Sequence, residues 1–255
     1  MKLLAFNLTG KTAFFKTNAF NEENMYFSYG QIHKVALLGI LGAKIGLDGH
    51  SKAYLQEGAT YIHPEFYTKL KDLGVAIVPK SPKFIFPKKN YTFINNCGYN
   101  KEANAAQTLV YTEQWLHDVS WDIYLDTSKI DKTIAEKLED YIINNKSVYP
   151  IYLGKTNHFA SIKNVRVVEA KKLPKDNEVV ISSIFKQDFI KEIVADIFSD
   201  YKIFLDVRES LPSKYCDDRC SYESSIYCIT NKDVILNTDD SYDLVSVDNI
   251  NICLM

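Results

Sequence analysis

The sequence has 255 residues, 46% of them hydrophobic, 24% charged and 13% aromatic, with only 10 glycines and 7 prolines. That is material for one large domain or two small ones and excludes a disordered or collagen-like chain. The formal charge of −2 hides a gradient: residues 1–100 carry +6, residues 101–176 balance, and residues 177–255 carry −8. A basic front of this kind suits a polyanion or an acidic partner. Only Arg166, Arg208 and Arg219 are arginine, so the basic groups are mobile lysine charges rather than arginine forks.

The longest strongly apolar run, Val35 to Ala43, is half of what crosses a bilayer, so no membrane association is expected. Residues 1–15 lack a signal-peptide pattern because Asn7, Thr9 and Lys11 interrupt them. Five irregularly spaced cysteines fit free thiols and a cytoplasmic location better than a disulfide framework.

In chain order, LLAFNLTG predicts a strand ended by Gly10, and Thr12–Lys16 a second extended piece. Gly30 to Leu47 has Ile32, Val35, Ala36, Ile40 and Ala43 at helical spacing, with a second apolar face of Leu37, Leu38, Leu41 and Ile45. This predicts a deeply buried helix whose Gly39 and Gly42 permit close approach to a sheet. His63-Pro64 opens a short helix through Leu73, and VAIVP after Gly74 reads as a strand. Residues 81–118, punctuated by Pro82, Pro87, Asn95, Asn96, Gly98 and Asn100, read as a projecting hairpin.

Trp121–Asp126 follows as a strand. Ser128 and Asp131 resemble a capping box before a helix marked by Ile134, Leu138 and Ile142, and Val148–Leu153 and Ile162–Val168 read as strands. The result is an α+β, ferredoxin-like βαββαβ domain over 1–174, with an arm inserted at about 81–118. After a polar break near 175, Ile190, Ile193, Val194, Ile197 and Phe198 predict an amphipathic helix. Strands around 201–208, 225–230, 233–237 and 250–254 complete a β-rich extension over 175–255.

Chemistry-bearing patterns are sparse. Cys216, Cys220 and Cys228 lack the paired knuckle of a zinc site, and Asp217-Asp218 and Asp239-Asp240 lack calcium-loop spacing. No metal or cofactor is therefore expected. His33 and His117 are candidates for metal-independent cleavage, although a lone histidine near a surface is more often a polar contact than a catalyst. RNA binding has wider support. Lys11, Lys16, Asn18, Tyr26, Phe27 and Tyr29 lead towards a helix start holding His33 and Lys34, where amide N–H groups attract phosphate. In the arm, Lys88, Lys89, Tyr91, Asn95, Asn96, Tyr99 and Asn100 interleave cations, amides and rings, a mixture suited to splayed bases. The plain alternatives are a solvated lysine pair and rings that fill the hairpin.

Three stretches carry a family resemblance: YGQIHKVALLGILGAKIGLDG (29–49), NNCGYNKEANAAQTLVYTEQWL (95–116) and YPIYLGKTNHFASIKNV (149–165). Taken together, in order across residues 3–170, they resemble the Cas-five family of CRISPR-associated RAMP proteins, most of all the type I-B branch. The resemblance implies a non-catalytic subunit gripping the 5′ handle of the crRNA in a Cascade surveillance complex for antiviral defence. Its implied partners are crRNA, a Cas-seven-type backbone subunit, a Cas-eight-type large subunit and, through the assembly, target DNA. It places 16–34 and 154–158, including Lys155 and His158, near the handle, and makes 81–118 the thumb. In the type I-C branch the same family cleaves repeat RNA with tyrosine and an adjacent lysine–histidine pair. Here the only such neighbours are His33-Lys34, in reversed order, which implies no cleavage.

Overall fold

The computed structural model describes residues 1–17, 24–51, 63–100, 105–194, 204–217, 221–238 and 241–255. It is mixed α+β and rich in strands. The first is β1 (Lys2–Ala13), followed by the two-residue β2 (Met25–Tyr26), helix α1 (Lys34–Ile45), the short α2 (Glu65–Leu70) and β3 (Gly74–Pro79). Two long strands, β4 (Lys88–Asn100) and β5 (Ala105–Asp126), precede α3 (Lys132–Ile143) and β6 (Ser161–Glu169).

β5 is the spine. Its last third lies between β1 and β3, while its first half pairs with β4 to form the arm. The central sheet runs β3-β5-β1-β6, every pair antiparallel. The first half of β1 alternates between two clusters. Leu4, Phe6 and Leu8 face a core shared with α1, α2 and α3, whereas Leu3 and Ala5 face a second cluster with Val245, Val247, Ile252 and Leu254. Both faces of the sheet are thus covered, by helices on one side and C-terminal strands on the other.

Those strands are β7 (Lys171–Lys172), β8 (Val179–Val180), β9 (Phe185–Lys186), β10 (Ile190–Val194), β11 (Asp206–Tyr215), β12 (Tyr222–Thr230), β13 (Asp233–Leu236), β14 (Asp243–Val247) and β15 (Ile250–Leu254). They form three small sheets. Leu211, Tyr215, Tyr227 and Ile229 of β11 and β12 join the main core, so the C-terminal third is built into the molecule.

Several expectations are corrected. β1 runs through Gly10 to Ala13 because its ladder with β5 continues to Leu116. The helix begins at Lys34 rather than near Gly30, with His33 as its cap, and stops at Gly46 in the left-handed region at φ 82°. Its Gly42 faces another helix and not a sheet: a Cβ there would overlap Phe66 of α2. Asp131 alone caps α3, its Oδ1 accepting from Thr133 and Ile134 N–H, while Ser128 N–H donates to Asp126.

Val148–Leu153 is no strand, since Val148 and Tyr149 N–H donate to the Lys44 and Ala43 carbonyls and close the end of α1. Ile190–Val194 is strand, not helix. Ile190 and Ile193 pair with Leu236 and Val234, and β-branched side chains suit that ladder. Ile197 and Phe198 of the expected helix lie outside the described residues. Among the described residues no helix is long and apolar enough to cross a membrane.

A candidate nucleic-acid interface

The residues leading into α1 meet the turn after residue 149 at the end of β1. Phe14 N–H donates to the Leu153 carbonyl at 3.0 Å, and Tyr29 N–H donates to that of Phe15 at 2.8 Å. Gly154 makes the first contact possible, because its φ is +91° and a Cβ would overlap the Phe14 carbonyl. This junction forms one wall of a cleft of about 1030 Å³, bounded also by α1, His50, Phe66, Tyr215 and Tyr222.

Cations and rings mark the rim. The Lys16 ammonium lies 4.1 Å from the Tyr26 ring centre, a cation–π geometry. Lys155 Nζ bonds Glu113 Oε1 at 2.7 Å, and the other carboxylate oxygen accepts from Trp115 Nε1 at 2.9 Å. Tyr149 and Tyr152 stand exposed beside them.

From this rim one face of the arm continues as a row of rings. Tyr26 meets Tyr111, Tyr111 stacks on Phe93, Phe93 adjoins Trp115, and Trp115 stacks on Tyr91 at 4.4 Å and 28°. The rings pack along the arm's own face and form an aromatic surface beside Lys16 and Lys155. This is the hairpin-filling reading of the arm aromatics.

The other expected residues divide by position. Tyr29 is 8% exposed and packs in the core edge-on to His33. His33 Nδ1 accepts from Ala36 N–H at 3.2 Å, and burial pushes its pKa down to about 3. It is a neutral cap. Lys34 Nζ donates to the Met255 main-chain oxygen at 2.8 Å, and burial, partly offset by Asp72, lowers its pKa to about 8. The Gly30 N–H, expected to be open to phosphate, donates at 2.7 Å to Glu209 of β11. Glu209 is itself held above the usual carboxylate range by burial. Lys88 Nζ donates to the Ser28 carbonyl at 2.9 Å, and burial lowers its pKa against the pull of Glu209.

Lys89, Asn95 and Asn96 are exposed on the arm. Tyr99 and Asn100 pair with Ala106 and Ala105 in the distal ladder. Asn18 lies outside the described residues, as does Cys220. His158 is 1% exposed, with Nδ1 2.6 Å from Thr12 Oγ1 and its ring edge-on to Trp115. Burial, reinforced by Lys155, lowers its pKa to about 4.

Two constellations escaped the sequence. Tyr91 Oη and His117 Nε2 are 2.9 Å apart beside Lys89, across the β4–β5 ladder. His50, Tyr215 and Tyr222 meet at the bottom of the cleft. The signal for the second was faint: Tyr215 and Tyr222 flank a polar stretch of sequence, and they pair directly between β11 and β12. His50 lies 165 residues from Tyr215, and no spacing rule reaches that far.

No protein-family model matches the chain. No curated protein matches it. Among solved structures it is similar to a chain of a CRISPR RNA-guided surveillance complex, with 12% identity, 92% of each chain covered and a TM-score of 0.49. It is also similar to a CRISPR protein from Archaeoglobus fulgidus, at 9% identity over 100% of this chain and 99% of that one, TM-score 0.45. A third is a chain of the type III-B Cmr-beta complex bound to cognate target RNA and AMPPnP, at 10% identity, 92% and 86% coverage and TM-score 0.45. These are distant likenesses of shape, without residue-level correspondence.

Proposed function

We propose that this chain is a non-catalytic crRNA-binding subunit of a type I-B-like Cascade complex, holding the 5′ handle of the guide. The observation that carries the reading is the cleft rim. Segments that the family resemblance assigns to the handle, 16–34 and 154–158, meet there, with Lys16 and Lys155 beside an aromatic surface. Lysines neutralise phosphates while rings accept unstacked bases at about 1–3 kcal/mol each. The strand order β6-β1-β5-β3, with α1 and α3 as crossovers, supports a ferredoxin-like palm, and the β4–β5 arm supports a thumb. Cas-seven-type and Cas-eight-type subunits would dock on this frame, and target DNA would be reached through the assembly.

The test mixes purified protein with end-labelled repeat RNA in EDTA and compares native with denaturing gels. A shifted, intact RNA is the expected result. An unshifted RNA would contradict the reading.

A second reading, a metal-independent repeat endonuclease, is favoured by the Tyr91–His117 pair beside Lys89. Burial and Lys89 lower the His117 pKa, which leaves a neutral imidazole able to accept a proton. Under this reading the denaturing gel shows shortened RNA, and His117→Ala abolishes the shortening. His33 does not fit the role, because its Nδ1 is committed to Ala36 N–H.

A further inference from the structure

The cleft has a floor that backbone gripping leaves unused. His50 Nε2 lies 2.7 Å from the Tyr215 hydroxyl, which lies 3.4 Å from that of Tyr222. The two tyrosine rings are 4.8 Å apart at 32°. Tyr215 is buried, edge-on to Tyr67, and its N–H donates to the Tyr67 hydroxyl, so the floor is braced from behind.

The charge is divided between the two ends. Ammonium groups stand at the rim, on Lys16 and Lys155. The floor offers hydroxyl and imidazole groups, with His50 kept towards its neutral form by burial and by His63. Of the two carboxylates that line the cleft among the described residues, Glu113 is engaged by Lys155 and Trp115. Asp48, two residues before His50 in the sequence, also lines the cleft and would repel a phosphate beside it. A ligand matching this division has an anionic end and an uncharged, planar, hydrogen-bonding end. The volume of about 1030 Å³ accommodates such a group together with part of its neighbours.

We propose that the cleft takes one unstacked nucleotide of a single-stranded RNA, its phosphate at the Lys16–Lys155 rim and its base against the His50–Tyr215–Tyr222 floor. β11 and β12 of the C-terminal third then determine which base is accepted. This inference rests on the RNA-binding reading and adds base selection by a part of the chain in which the family resemblance has no motif.

The experiment measures binding of repeat RNAs in which each handle position is replaced in turn by A, C, G, U or an abasic sugar. Wild-type protein is compared with Tyr222→Phe and Tyr215→Phe, and thermal melts check that each variant folds. Wild-type protein should discriminate at one position and lose affinity on abasic substitution there. Tyr222→Phe should compress that discrimination about fivefold while leaving the salt dependence unchanged. Wild-type binding that is indifferent to the base at every position would overturn the inference and leave the RNA-binding reading standing, a result that needs no variant. Discrimination equal in wild type and both variants would overturn it too. Absence of binding to any RNA would overturn both. Tight binding of nucleoside 5′-monophosphates, without base discrimination in RNA, would reassign the cleft to a free nucleotide and contradict the proposal as stated.

Discussion

The turn into α1 and the turn around Gly154 both lie against Phe14 and Phe15, yet they meet an anion in opposite ways. At α1 the donors are already used: Gly30 N–H by Glu209, Ala36 N–H by His33, and the Lys34 ammonium by the Met255 main-chain oxygen. At the second turn Lys155 faces the cleft with one carboxylate partner, and Lys16 across from it rests on a ring. A helix start attracts phosphate only where the fold leaves its N–H groups empty. Here His33 fills the Ala36 N–H of α1 and Glu209 of β11 fills the Gly30 N–H before it, and the open charge stands elsewhere.

The sharpest way to break this contrast is at Gly154. Gly154→Ala forces a side chain into the left-handed region and against the Phe14 carbonyl, which should cost about 3 kcal/mol. At this chain length that corresponds to a melting temperature lower by roughly 6–12 °C. An unchanged melt would mean that the turn is not pinned there and that Lys155 is not positioned by it.

Protonation gives the next largest effect. His158 and His33, at about 4 and about 3, lie well below the usual histidine value of 6.5. Between about 6.5 and those values the unfolded chain takes up protons that the native chain refuses. Stability is therefore complete above pH 6.5 and falls as the pH drops towards 4, by about 1.4 kcal/mol per unit for each proton. His158→Gln should shallow that slope by about one proton in denaturant titrations between pH 6.5 and 4.5. A slope equal to that of wild type would mean that His158 is not held neutral.

The smallest effect is expected at the cap. His33→Ala should remove about 1 kcal/mol with the lost hydrogen bond to Ala36. RNA affinity should be unchanged in a gel-shift titration, since a neutral cap holds no phosphate. A tenfold loss of affinity in a well-folded variant would return the start of α1 to the interface.

Much of the frame was legible in the sequence, for reasons that differ between elements. The 3.6-residue pattern of Val35, Leu38 and Ile45 and the continuous apolar run Leu3, Leu4, Ala5 and Phe6 of β1 report burial directly. The arm was read from Pro82, Pro87, Asn95, Asn96, Gly98 and Asn100, of which the last four lie within β4, with a bulge between Asn96 and Gly98. The unity of β5 was not legible, because one strand passes from a buried sheet to an exposed ribbon and its pattern changes on the way. Residues 190–194 carried apolar spacing that fits a helix or a strand, and pairing with β13 decides between them. At the site, Lys16 was found from its place ahead of the helix start and Lys155 through resemblance. Glu209 at the Gly30 N–H, and the His50–Tyr215 pair, depend on contacts across 179 and 165 residues. Only the folded chain brings them together.

The most direct test of the account is the salt dependence of repeat-RNA binding by wild type, a Lys16→Ala/Lys155→Ala double variant and Lys34→Ala. For single strands each lost phosphate contact removes about 0.7 from the slope of log affinity against log salt. The account predicts a slope shallower by about 1.4 for the double variant and unchanged for Lys34→Ala. An unchanged slope for the double variant, with a shallower one for Lys34→Ala, would move the interface to the start of α1 and contradict it.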